Sequence, residues 1–145
     1  MDNTIVVGVD GSPTSVKALR WAIRIAGAAG MRIVAVNAWG LPVTAAIPGA
    51  IDPAAFPPAE VYEDSARRVL EDAVASLGDV DVEITQQVVP GNAAHVLLDQ
   101  SADAAMLVVG SRGHGGVAGL LLGSVSHAVV GKSKVPVTVV PHDEG

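Results

Sequence analysis

Gly110-Ser111-Arg112-Gly113, nine residues, and then Gly123-Ser124 form the stretch of this sequence best suited to holding an anion. Glycines at both ends of such a loop let backbone amides approach phosphate oxygens without an intervening Cβ. Ser124 opens a helical pattern, and the first amides and positive dipole end of a helix favour a bound phosphate. The Val125 amide and the Ser126 hydroxyl are further donors in that turn. A flexible glycine-rich connection with an ordinary serine cap explains the same residues without a ligand. Two shorter polar turns accompany the loop, Asp10-Gly11-Ser12 and Asn37-Ala38-Trp39. An Asp-Gly turn also arises for conformational reasons alone.

These turns need elements to position them. Thr4 to Val9 is a β-branched apolar run, as in a strand buried on both faces. Ser12 is a good helix cap and Pro13 suits the first helical position. Val16, Leu19, Ile23 and Ala26 then recur at helical spacing, up to Gly30. Arg32 to Ala38 reads as a second strand. A long irregular stretch from Gly40 to Pro58 carries five prolines. Tyr62, Ala66, Val69, Ala73 and Leu77 mark a second helix, with Glu63/Arg67 and Asp64/Arg68 as i,i+4 pairs. Val82 to Val89 is a third strand. Asn92 caps a short helix through Ser101. Ala105 to Val109 is a fourth strand, Ser124 to about Gly131 a helix, and Val135 to Val140 a fifth strand.

Strand and helix alternate throughout, which specifies an α/β fold: an open parallel sheet with helices on both faces. In such sheets ligands bind beyond the carboxyl ends of strands, where the strand order reverses. The Asp10, Ala38 and Gly110 turns all fall at such ends. A length of 145 residues predicts a single domain over 1–145. With 3% aromatic residues, the core must be built from Val, Ala, Leu and Ile.

The sequence has no cysteine, so disulfides, thiolate metal sites and cysteine nucleophiles are excluded. A net charge of −6 argues against a nucleic-acid partner. No stretch reads as a signal peptide or a membrane span, so a soluble cytoplasmic protein with no membrane partner is expected. Gly131-Lys132-Ser133 imitates the end of a P-loop, but Ser126 stands where that motif needs glycine. Gly113 to Ala118 loosely fits a dinucleotide fingerprint, yet no acidic residue follows at the required distance. His95, His114, His127 and His142 form no close metal-binding pair.

The Gly-x2-Gly-x9-Gly-Ser spacing resembles that of the universal stress protein family, in its ATP-binding branch. The resemblance covers nearly the whole chain. Val7-Gly8-Val9-Asp10-Gly11-Ser12 is similar to the family's opening strand and acidic turn. Val36-Asn37-Ala38-Trp39 resembles the end of its second strand, with Asn37 where histidine is common. Val88-Val89-Pro90-Gly91-Asn92 resembles its third strand and turn. Gly123-Ser124-Val125-Ser126 followed by Val135-Pro136-Val137 is similar to its closing signature. Lys132-Ser133-Lys134 departs from the family's more usual His-Ala, outside the expected pocket.

The resemblance implies a Rossmann-like sheet of strand order 3-2-1-4-5 and a pocket for ATP, or a related adenine nucleotide, with Mg²⁺ or Mn²⁺. Asp10 would lie near the ribose or a nucleotide-borne cation, and Gly11 would turn the chain away. The Ala38 backbone would read the adenine edge between Val9 and Val89. Gly110, Gly113, Gly123, Ser124, Val125 and Ser126 would hold ribose and phosphates. No lysine occupies the glycine loop, so amides, the helix dipole and a cation must carry the phosphates, helped by Arg112 or His114. The function implied is a nucleotide-dependent regulatory module of the stress response. The alternatives are a slow ATP hydrolase or phosphotransferase using Asp10 and Arg112, and an interaction domain with a vestigial pocket. The implied strand order leaves Val135 to Val140 at a sheet edge. An open apolar edge invites pairing, so a homodimer through this strand is expected.

Overall fold

β-branched runs and amphipathic segments alternate in the sequence, and the computed structural model turns them into five strands and four helices among residues 3–40, 57–113 and 122–142, the residues it describes. In chain order they are β1 (Thr4–Gly8), α1 (Pro13–Ala29), β2 (Arg32–Trp39), α2 (Ala59–Ala75), β3 (Ile84–Pro90), α3 (Ala93–Gln100), β4 (Met106–Gly110), α4 (Ser124–Lys132) and β5 (Val137–Val140). The strands form one parallel sheet of order β3-β2-β1-β4-β5, as the family resemblance implied. The chain steps from β1 outward to β3, then crosses back to β4. The strand order therefore reverses between β1 and β4.

Alternate residues of each strand feed two separate cores. Ile5, Val7, Ile33, Ala35 and Val108 pack on one face against Leu19 and Ala22 of α1 and Leu70 and Ala73 of α2. Val6, Val36, Leu107 and Val109 pack on the other against Val96 and Leu97 of α3 and Val129 of α4. Among the described residues no fully buried aromatic side chain is part of either core, and Trp21 packs partly buried against the first.

Local signals set most helix ends. The Ser12 hydroxyl caps α1 by accepting from the Ser15 amide at 3.2 Å, with Pro13 first in the helix. Gly30 closes α1 with a φ of 69°, a left-handed conformation that glycine adopts without strain. The Asn92 side chain caps α3 by accepting from the His95 amide at 3.2 Å.

The observed elements differ from the sequence reading at their margins. β3 starts at Ile84 and runs through Pro90, because its pairing with β2 continues to Trp39. β5 starts at Val137, since Pro136 lacks an N–H to donate. The second helix runs from Ala59 to Ala75, earlier at both ends than its apolar spacing suggested. Arg67 bridges both Glu63 and Asp64, so Asp64 pairs with Arg67 rather than Arg68. Most of the Gly40–Pro58 stretch, and His114 in the glycine loop, lie outside the described residues.

Candidate functional site

A cavity of about 360 Å³ opens at the carboxyl ends of β1, β2 and β4, at the reversal in strand order. Its walls come from three turns and two helices. Val9 and Asp10 follow β1, Asn37 and Ala38 end β2, and Gly110, Arg112 and Gly113 follow β4. Ala93 and Leu97 of α3 and the α4 start, Gly123 to Ser126, complete it.

The end of β2 offers a backbone edge. Arg32 N–H donates to Asn3 O and Val9 N–H donates to Val36 O, so even-numbered residues of β2 face β1. Ile33 N–H donates to Glu83 O and Gly91 N–H donates to Trp39 O, so odd-numbered residues face β3. β1 ends at Gly8 and its chain leaves after Val9. The Ala38 N–H and C=O therefore point to the side that β1 has vacated. That is one donor beside one acceptor, on the wall of the cavity. The Asn37 side chain does not join them. Its Nδ2 donates to Ala66 O of α2 at 3.0 Å, on the opposite face of the sheet.

The turn after β1 is knitted by its own polar groups. Asp10 Oδ1 accepts from Ser12 N–H at 2.9 Å, and Ser15 Oγ accepts from Asp10 N–H at 3.3 Å while donating to Ser12 O at 2.9 Å. Gly11 sits in this turn with a φ of 86°. The same bonds aim Oδ2 of Asp10 across the cavity mouth at Gly113.

At the far side α4 begins without a side-chain cap. Gly123 occupies the cap position, so Ser124 is the first helical residue and not the cap. Ser124 and Val125 line the cavity, and no side chain caps the first-turn amides of α4, the arrangement that suits an anion. Ser126 differs from expectation. Its hydroxyl donates to the carbonyls of Ser111 and Gly123, each at 3.1 Å. The single Ser126 proton, shared between these two carbonyls, is thereby spent within the fold.

Nine of the eleven residues singled out from the sequence line this cavity: Val9, Asp10, Ala38, Gly110, Gly113, Gly123, Ser124, Val125 and Ser126. Gly11 and Val89 do not. Gly11 shapes the turn beneath Asp10, and Val89 packs at the margin of the α3–α4 core. The wall expected from Val89 is supplied by Ala93 and Leu97. Leu97 reaches the cavity because Gly8 has no side chain; a Cβ there would lie 2.8 Å from Leu97 Cδ1. Sequence reasoning missed Gly8, Ser15, Val36, Ala93, Leu97 and Val109 as lining. The i,i+4 spacing of Ala93 and Leu97 after an Asn cap was the one available signal.

Asp10 is the one carboxylate on the wall, and no group of three His, Asp or Glu side chains gathers among the described residues. The donor set therefore fits a divalent cation carried by a ligand's own phosphates, with Asp10 as at most one further oxygen. No helix among the described residues is long and apolar enough to cross a membrane.

An open doubly wound α/β domain with a cavity at its switch point is the class that this fold and site define. Residues 1–141 match the sequence profile of the universal stress protein family, and the chain belongs to that family. Universal stress protein Rv2005c of Mycobacterium tuberculosis is 37% identical over 137 residues, which cover 93% of this chain and 44% of that protein. The chain thus spans about half the length of the curated relatives it matches. A crystal structure of a universal stress protein in complex with cAMP is 30% identical, covers 95% of each chain and superposes with a TM-score of 0.62. UspA from Lactobacillus plantarum shares the fold at 20% identity and a TM-score of 0.77, over 94% of this chain and 96% of that one.

Proposed function

We propose that this chain binds an adenine nucleotide, ATP with Mg²⁺ or Mn²⁺ foremost, at the β1–β4 switch point, and acts as a nucleotide-dependent regulatory module in the stress response. One juxtaposition carries the reading. The donor–acceptor edge of Ala38 and the uncapped start of α4 line one cavity. The first suits the edge of a purine base and the second suits phosphate. Apolar Val36, Ala38, Leu97 and Val109 lie between sheet and α3, where a flat base would stack. The solved relative that holds cAMP supports an adenine ligand for this family's fold.

Arg112 is the cationic side chain on the wall, so the charge of a triphosphate is balanced by the α4 amides, Arg112 and a bound cation. Equilibrium dialysis against ATP, with and without EDTA, tests this. Binding that falls on chelation is expected. Equal binding with EDTA removes the cation, and no binding of ATP, AMP or cAMP removes the module.

The same reading includes a cytoplasmic homodimer formed through β5. β5 is an edge strand with half-buried Val137, Thr138 and Val139, and an unpaired apolar edge is stabilised by pairing with its copy. Light scattering at high concentration checks it, and a stable monomer would overturn it.

A further inference from the structure

We propose that Ser111 is a positioning residue that couples occupancy of the nucleotide cavity to the chain leaving β5. The proposal rests on the nucleotide reading above. Ser111 is not on the cavity wall; it lies behind it and is 4% exposed. Four hydrogen bonds converge on this one residue. Its carbonyl accepts from Gly123 N–H at 2.7 Å and from the Ser126 hydroxyl at 3.1 Å. Its amide donates to Val140 O at 2.8 Å, and its hydroxyl accepts from His142 N–H at 3.1 Å.

The carbonyl thus draws the α4 start against the Gly110–Gly113 limb of the glycine loop. The amide and hydroxyl fasten the same residue to the last strand and to the residue two beyond it. Pro141 O accepts from Lys17 Nζ at 2.9 Å, so this exit path is also tied to α1. A phosphate drawn to the amides of Ser124 and Val125 pulls on the turn that hangs from Ser111 O. Ser111 cannot follow without straining its bonds to Val140 and His142, because a buried residue in a close-packed setting has no slack. The strain reaches the exit of the edge strand, more than fifteen residues away in sequence from the α4 cap. The hydroxyl carries the His142 arm of this link, while the backbone bonds are independent of the side chain.

Amide hydrogen exchange by NMR on the full chain tests the coupling, with MgATP as the probe and MgCl2 alone as the reference. In the unmutated protein, MgATP should shift the Arg112, Gly113 and Ser124 amides and speed exchange at His142, whose bond to Ser111 is then strained. In Ser111→Ala the site amides should still respond. His142 should exchange about tenfold faster without ligand, the loss of one modest hydrogen bond, and should no longer respond to MgATP. A purely structural role would lower the thermal midpoint but leave the His142 response intact. Ser111→Cys, which keeps the volume and weakens the acceptor, gives the same readout if the alanine variant does not fold. Site amides that respond while His142 stays silent in the unmutated protein, or a His142 response that persists in both variants, overturn the coupling and leave the nucleotide reading standing. Site amides that do not respond in the unmutated protein overturn the nucleotide reading, and the coupling with it.

Discussion

The carboxylate of Asp10 leans on the Cα of Gly113: a Cβ built on that glycine would lie 2.5 Å from Oδ2. The two residues come from the ends of β1 and β4, the strands that flank the switch point. Gly113 therefore makes room for the Asp10 carboxylate, whatever it also does for a ligand. In Gly113→Ala the carboxylate must swing away, losing its aim but keeping its place in the turn through Ser12 N–H. The expected outcome is a folded protein with little change in urea midpoint and about tenfold weaker ATP binding, worth about 1.4 kcal/mol. Urea denaturation and titration calorimetry on the same sample measure stability and affinity respectively.

Gly123 separates a ligand role from a backbone role more cleanly. Its φ is −73°, which every residue adopts. A Cβ there would meet Ser111 O at 3.5 Å, Arg112 Cα at 3.6 Å and Gly113 N at 3.8 Å, all ordinary contacts. The added methyl would lie over the Gly113 amide, between the two limbs of the loop. Gly123→Ala should thus fold, with up to about 1 kcal/mol lost because alanine caps a helix less well than glycine. ATP affinity should fall by more than about tenfold as the Gly113 amide is covered, and Gly123→Val should weaken it further. Unchanged affinity in folded Gly123→Ala would remove the glycine from the site.

Gly110 should behave in the opposite way. Its Cβ would meet Thr14 Cγ2 at 2.7 Å and the Thr14 backbone C and O at 3.1 Å. The side chain can move, but the first turn of α1 cannot. Gly110→Ala should destabilise the protein by about 1–3 kcal/mol through overpacking. Gly110→Ala combined with Thr14→Ser, which removes the Cγ2 obstacle, should recover part of the loss in urea denaturation. Full recovery would mean the backbone approach is unimportant.

The Asn37 side chain joins β2 to α2 through its bond to Ala66 O. Removing its amide in Asn37→Ala leaves the fold without a buried bond to Ala66 O, at a cost of about 1–2 kcal/mol. Asn37→Asp should cost more, since a carboxylate would face a carbonyl in a buried site. ATP affinity per folded molecule should be unchanged in Asn37→Ala, and a loss there would place Asn37 in the site.

The sequence by itself determined the elements, the sheet type and most of the turns that form the cavity. Those are local or periodic properties. The β-branched runs, the Ser12 and Asn92 caps and Gly30 each act within a few residues, so spacing is enough to read them. The two ends of the glycine loop, Gly110 to Gly113 and Gly123 onward, were legible for the same reason, and the family resemblance added the strand order. Only the tertiary structure decided what each glycine is for. Gly8 makes room for Leu97 and Gly110 for Thr14, while Gly113 faces Asp10, and none of these partners is near in sequence. It also decided that Ser126 spends its proton on Ser111, that Asn37 turns to α2, and that Leu97 rather than Val89 walls the cavity. Such assignments depend on distances between residues brought together by the sheet. A pattern read along one chain carries periodicity and turn chemistry, but not which side chain fills the space beside a missing Cβ.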